Sequence, residues 1–163
     1  MKFSTLRRST LWETIAWLFA TWFGSGLSPK APGTVGSLFS LPLVLFGIYG
    51  GWEGLLGVFI CLFFIGLWST AVVLKTQKEQ DPGFVVIDET VGQGLAFILA
   101  LSFGITGWSL ILGFLLFRFF DIIKLWPASF FDGYVHNAFG VMMDDVIAGL
   151  YAAIVLYGIM FFI

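Results

Sequence analysis

Two stretches of this sequence, Leu55 to Leu74 and Val146 to Ile163, run without a single charged side chain, and that feature constrains the fold more than any other. A helix crossing a bilayer needs about 20 apolar residues to cover a hydrocarbon core of about 30 Å, where no water can satisfy a bare backbone. The rest of the chain agrees. Of 163 residues, 59% are hydrophobic and 11% charged, whereas a soluble domain carries roughly 25% charge. Ten acidic and eight basic residues are too few to coat a soluble domain of this length. The expected fold class is all-α: a polytopic helical membrane protein forming a single membrane-embedded domain over residues 1–163. The net charge of -2 gives a nucleic-acid partner no electrostatic support.

Two further spans are expected when their ends are stretched to admit charge. Phe84 to Phe103 takes in Asp88 and Glu89 near its start, and Gly107 to Trp126 takes in Arg118, Asp121 and Lys124 near its end. The shorter apolar runs Leu11 to Phe23 and Leu38 to Tyr49 reach only about 18 to 20 Å as helices, so at least one is expected to lie in the interface or re-enter. The count is four to five spans plus a short interfacial or re-entrant helix. Lys2, Arg7 and Arg8 precede an apolar run, but no small-residue cleavage site follows convincingly, and the N-terminus is read as retained. Cys61 is the only cysteine; it forms no intrachain disulfide and reads as a small buried hydrophobe.

Cations stay on the cytoplasmic side. If Leu11 to Phe23 only dips into the membrane, all eight cations share one side: Lys2, Arg7, Arg8, Lys30, Lys75, Lys78, Arg118 and Lys124. The other side then receives Gly50 to Gly54 and the turn at Gly104 to Thr106. Glu53 alone among the acids falls there, although the cation rule says nothing about carboxylates.

An ionised carboxylate at the centre of a membrane helix costs roughly 2.5 to 3.5 kcal/mol on insertion scales. This chain nevertheless brings Asp88, Glu89, Asp121, Asp144 and Asp145 to the expected ends of three helices. One reading is that these are solvated helix ends, with Asp88 and Asp144 as favourable anions at N-termini. The sharper reading is a shared cation: hard oxygen ligands suit Mg²⁺, which takes one or two carboxylates, several waters and substrate phosphate. Asp144 and Asp145 point about 100° apart on a regular helix, and the sequence leaves open which of them meets the ion.

Arg118, Asp121 and Lys124 are spaced by three and share a helix face. They form either a self-compensating ion-pair ladder or a site in which Arg118 forks onto phosphate oxygens, Lys124 adds a point charge and Asp121 holds metal. The segment Gly24 to Ser37 reads as a loop by its turn chemistry. With Lys30, Thr34 and Ser37 it can cradle a phosphate, although it lacks the P-loop pattern and reads equally as a connector. His136, the only histidine, lies in the polar stretch Asp132 to Gly140 and is a candidate acid for a leaving alkoxide.

Absences narrow the chemistry. A phosphohistidine route needs two histidines; a Cys nucleophile needs Arg six residues on, where Leu67 follows Cys61; and no Asp-x-Asp pair exists. Asp132-Gly133 is followed by Tyr134, Val135 and His136, not by the remainder of a head-group transferase motif. Metal-assisted attack by water remains.

These pieces together resemble the phosphatidylglycerophosphatase A family of bacterial membranes. The matching segments are Phe23 to Pro29, Ala31 to Leu38, Val86 to Glu89 with Gly92, Phe117 and Arg118 through Asp121 and Lys124, Trp126-Pro127, Phe131-Asp132, Val135-His136, and Met143 to Gly149. The resemblance implies Mg²⁺-dependent hydrolysis of phosphatidylglycerophosphate to phosphatidylglycerol and phosphate, in phospholipid synthesis at the bacterial inner membrane. It implies a multi-pass chain with its active site on the cytoplasmic side and a membrane phospholipid as partner. No obligatory protein partner is expected. Catalysis is expected from Asp88, Glu89, Asp121, Asp145 and His136, and metal binding from Asp88, Glu89, Asp121, Asp144 and Asp145. Phosphate binding is expected from Lys30, Thr34, Ser37, Arg118 and Lys124. Leu125 stands where the family usually has proline, and Asn137 and Ala138 where glycines are expected; a longer helix or stiffer loop should result. The rivals are a head-group phosphotransferase, which would yield an exchange product, and a divalent-cation carrier, whose acids would trace a path across the membrane instead of gathering at one surface.

Overall fold

The computed structural model describes residues 10–77 and 82–163. Lys2, Arg7, Arg8 and Lys78, which enter the cation argument above, lie outside the described residues. The fold is all-α, with no strand among the described residues. Among the described residues six α-helices follow one another: α1 (Leu11–Ala20), α2 (Pro32–Gln77), α3 (Ile87–Leu95), α4 (Gly107–Ile123), α5 (Ala128–Tyr134) and α6 (Ala138–Phe162).

Helix α1 starts in a reciprocal cap. Thr10 Oγ1 accepts from the Glu13 amide at 3.3 Å and Glu13 Oε2 from the Thr10 amide at 2.8 Å. It is too short to cross a bilayer, as expected of Leu11 to Phe23. Its end is tied to the start of α3 by a bond from the Val86 amide to Ala20 O at 2.8 Å.

The expected loop from Gly24 to Ser37 ends early, because α2 already begins at Pro32. Proline suits a first helical position: its missing N–H would have had no intrahelical partner there, and its φ is already set. Thr34 and Ser37 therefore sit on a helix, and Ser37 Oγ donates to Gly33 O at 2.8 Å. Helix α2 is interrupted at Gly51, whose φ of 68° and ψ of 178° leave the helical region.

The segment Tyr49–Gln77 and helix α6 are long and apolar enough to cross a membrane, and they contain the two charge-free stretches Leu55 to Leu74 and Val146 to Ile163. The count of four to five full crossings does not follow from the other helices. Pro32–Gly47 is a shorter apolar helix. Phe84 to Phe103 is not one span: α3 ends at Leu95, and turns lead into a 3-10 helix at Ala100–Phe103. Two glycines at Gly92 and Gly94 weaken it as a helix. Helix α4 stops at Ile123, short of Trp126, where Lys124 takes a left-handed cap with φ of 49° and Pro127 follows soon after. The lengthening expected from Leu125 does not occur. Cys61, expected to be buried, is exposed on α2; an outward apolar position beside lipid suits a small hydrophobe equally well.

Helix α3 packs against α2, α4 and α6. One apolar cluster joins Ala20, Leu55, Phe59, Ile87 and Met142; a second joins Val44, Phe97, Phe117, Ala152 and Leu156. Large side chains such as Phe46, Phe64, Ile111 and Ile154 face outward, the pattern of a surface solvated by hydrocarbon. The two turns expected opposite the cations meet at one end of the bundle: Gly47, Gly51 and Trp52 line a cavity with Leu101, Gly104 and Ile105. Helix α4 runs from that end over 17 residues, about 25 Å, and carries Asp121 in its last turn.

Candidate active site

Helix α3 opens with Asp88 and Glu89 in its first turn, where the free N–H groups and the helix dipole favour negative charge. Asp144 and Asp145 are placed differently from expectation. They lie two turns inside α6, which starts at Ala138 behind an Asn137 cap that accepts from the amides of Phe139 at 2.9 Å and Gly140 at 3.1 Å. The residues standing where glycines were expected thus nucleate the helix instead.

Asp88, Glu89 and Asp145 converge, each offering a carboxylate oxygen within 4.8 Å of the others. Asp88 is 8% and Asp145 3% exposed, and Glu89 Oε2 is buried without a hydrogen-bond partner. Three close carboxylates repel one another strongly unless a cation or proton intervenes. An all-oxygen donor set with an orphaned buried oxygen fits a hard divalent cation such as Mg²⁺.

Asp121, also buried, comes within hydrogen-bond reach of Asp145 and receives Arg118 Nη1 at 2.6 Å. Arg118 spans to α2 as well, donating to the buried Ser37 Oγ at 3.4 Å, while its Nε is buried without a partner. The first turn of α2 presses on this group: a Cβ at Gly33 would collide with Glu89 Oε1 and sit 3.3 Å from Arg118 Nη1.

The expected shared face of three charges holds for Arg118 and Asp121 and ends at Lys124. The left-handed cap turns Lys124 away, to Asp132 of α5 and to Asp144 Oδ2 at 2.6 Å. Burial opposes the charge on Lys124, but the Asp144 and Asp132 carboxylates outweigh it and hold its pKa above the ordinary lysine value. So the adjacent acids divide: Asp145 joins the triad and Asp144 pairs with Lys124. Of the remaining expected residues, Thr34 is half-buried on the first turn of α2, and Lys30 is exposed just before it. His136 is exposed between α5 and α6, and no hydrogen bond or ion pair among the described residues joins it to the triad. Gly33 and Asp132 were not among the expected site residues; the matches to Ala31 to Leu38 and to Phe131-Asp132 were the signals pointing to them.

Residues 18–160 match the model of a family described as Phosphatidylglycerophosphatase A. The chain belongs to the phosphatidylglycerophosphatase A family. Its relatives include a Phosphatidylglycerophosphatase A of Escherichia coli strain K12, 36% identical over 94% of this chain and 86% of the relative. Another, of Haemophilus influenzae, is 40% identical over 88% of each chain. A protein of Bacteroides thetaiotaomicron named as a putative phosphatidylinositol-3-phosphatase is 37% identical over 85% of this chain and 89% of its own. No solved structure matches. Phosphatidylglycerophosphatase A membership makes the chain an enzyme of the phosphatase class, and the matched span contains the triad, Arg118 and the first turn of α2.

Proposed function

We propose that this chain hydrolyses phosphatidylglycerophosphate to phosphatidylglycerol and phosphate with Mg²⁺, as a multi-pass protein of the bacterial inner membrane whose site faces the cytoplasm. The observation that carries the reading is the convergence of Asp88, Glu89 and Asp145 beside Arg118.

Asp88, Glu89 and Asp145 would hold the ion, with Asp121 supporting Asp145 from α4. The bound ion would neutralise phosphoryl charge and lower the pKa of an attacking water. Arg118, already fixed by Asp121 and Ser37, turns its guanidinium to the phosphate oxygens. The first turn of α2, with Thr34 and the N–H groups ahead of it, adds donors for the same anion, and Lys30 adds charge at the rim. The acyl chains stay in the bilayer beside the outward apolar faces of α2 and α4. His136, exposed between α5 and α6, is the candidate acid that returns a proton to the departing alkoxide.

Purified protein incubated with short-chain phosphatidylglycerophosphate should release inorganic phosphate with Mg²⁺ and stop with a chelator. Phosphatidylinositol 3-phosphate serves as a second substrate, given the name of the Bacteroides relative. Lipid exchange without free phosphate would favour the phosphotransferase, and ion flux without either product the carrier. Protease protection of Lys30 and Asp132 in right-side-out vesicles, lost on inversion, tests the cytoplasmic placement.

A further inference from the structure

Lys124 caps α4 in a left-handed conformation and is clasped by carboxylates from two other helices, Asp132 of α5 and Asp144 of α6. Asp144 does more than balance its charge. Its Oδ2 receives the Lys124 ammonium at 2.6 Å, and its Oδ1 accepts the amide of Asp145 at 2.9 Å. One carboxylate therefore bridges the lysine and the backbone of the residue whose side chain enters the triad.

An ammonium has three donors, and two are committed here. A phosphate reaching Lys124 would have to compete with both carboxylates. Asp144 is 6% exposed, and a buried charge stripped of its partner is strongly unfavourable. Without Lys124 this carboxylate would seek solvent or repel the acids beside it, taking the Asp145 backbone with it.

We propose that Lys124 is a positioning residue: through Asp144 it fixes the orientation of Asp145 and so the geometry of the divalent-cation site, while Arg118 grips the phosphate. The inference rests on the metal reading above. Outer partners of metal ligands change affinity by about 10- to 100-fold when removed, so the consequence belongs in metal affinity, not in lipid affinity.

The test measures Mn²⁺ binding by electron paramagnetic resonance on protein in nanodiscs without lipid phosphate, and separately the lipid KM at saturating Mg²⁺. Lys124→Met should weaken Mn²⁺ binding by about tenfold or more and leave the lipid KM essentially unchanged, with Lys124→Arg restoring most of the binding. Wild-type Mn²⁺ affinity in Lys124→Met with a raised lipid KM overturns the proposal and makes Lys124 a phosphate ligand. Wild-type protein that binds no Mn²⁺ overturns the metal reading and this inference with it. Should Lys124→Met fail to fold, the exposed Asp132→Asn carries the test. A small loss of Mn²⁺ affinity supports the role; none overturns it.

Discussion

Gly149 of α6 lies directly on the backbone of Gly92 in α3: a Cβ placed at Gly149 would fall on the Gly92 carbonyl oxygen and within 3.0 Å of its Cα. The fit is reciprocal, because a Cβ at Gly92 would meet the Asp145 carbonyl oxygen at 2.5 Å. Small residues let membrane helices approach this closely, and here the approach carries Asp145 to Asp88 and Glu89. Gly149→Ala should push the helices apart, costing about 1–3 kcal/mol as overpacking and lowering turnover in the molecules that still fold. Thermal unfolding in detergent with phosphate release on the same sample checks both.

Gly33 gives a cleaner separation of stability from chemistry. Alanine there is a better helix former by up to about 1 kcal/mol, so the Tm of Gly33→Ala should hold. Its methyl group would displace Glu89 and crowd Arg118, and misplacement of about 1 Å can cost about 10²-fold in rate. A variant with unchanged turnover would remove the α2 first turn from the site.

Asp145→Asn and Glu89→Gln should each lower kcat on the order of 10²-fold with the lipid KM little altered, the signature of groups acting in the transition state. In a chelator the same variants should unfold at or above the wild-type temperature, because each removes one of three mutually repelling carboxylates. Near-normal turnover in Asp145→Asn would withdraw it from the site.

Arg118→Lys keeps the positive charge beside Asp121 but loses the planar fork that meets phosphate in two places. The lipid KM should rise by about tenfold, taking one good hydrogen bond to a charged group as about 1.5 kcal/mol. Kinetics across lipid concentration in mixed micelles check it, and an unchanged KM would move phosphate recognition elsewhere.

Asn137→Ala should cost about 1 kcal/mol through loss of the α6 cap, and Asn137→Gly only a few tenths. Specific activity per folded molecule should stay level in both, which separates this capping role from the chemistry of His136 next to it.

The all-α class, the two longest apolar segments and the phosphatase family were legible in the sequence. The candidate acids stood out too, because carboxylates beside apolar runs are conspicuous wherever they fall, although Asp144 was grouped with acids from which Lys124 separates it. The helix ends were harder. Pro32 was read as part of a loop although it starts α2, since the same Gly- and Pro-rich chemistry serves turns and helix starts alike. Phe84 to Phe103 was read as a span because its hydropathy survives the interruption at Leu95.

The sequence alone determined where charge could and could not be, since hydropathy and charge belong to each residue regardless of its neighbours in space. Which acids meet was a tertiary decision. Asp144 and Asp145 are adjacent and identical in type, and nothing local separates them; the contact of Gly92 with Gly149 aims one at the triad, and the Lys124 ammonium holds the other. The division arises from helix rotation and the depth of close approach, which depend on residues more than fifty positions apart pressing backbone against backbone.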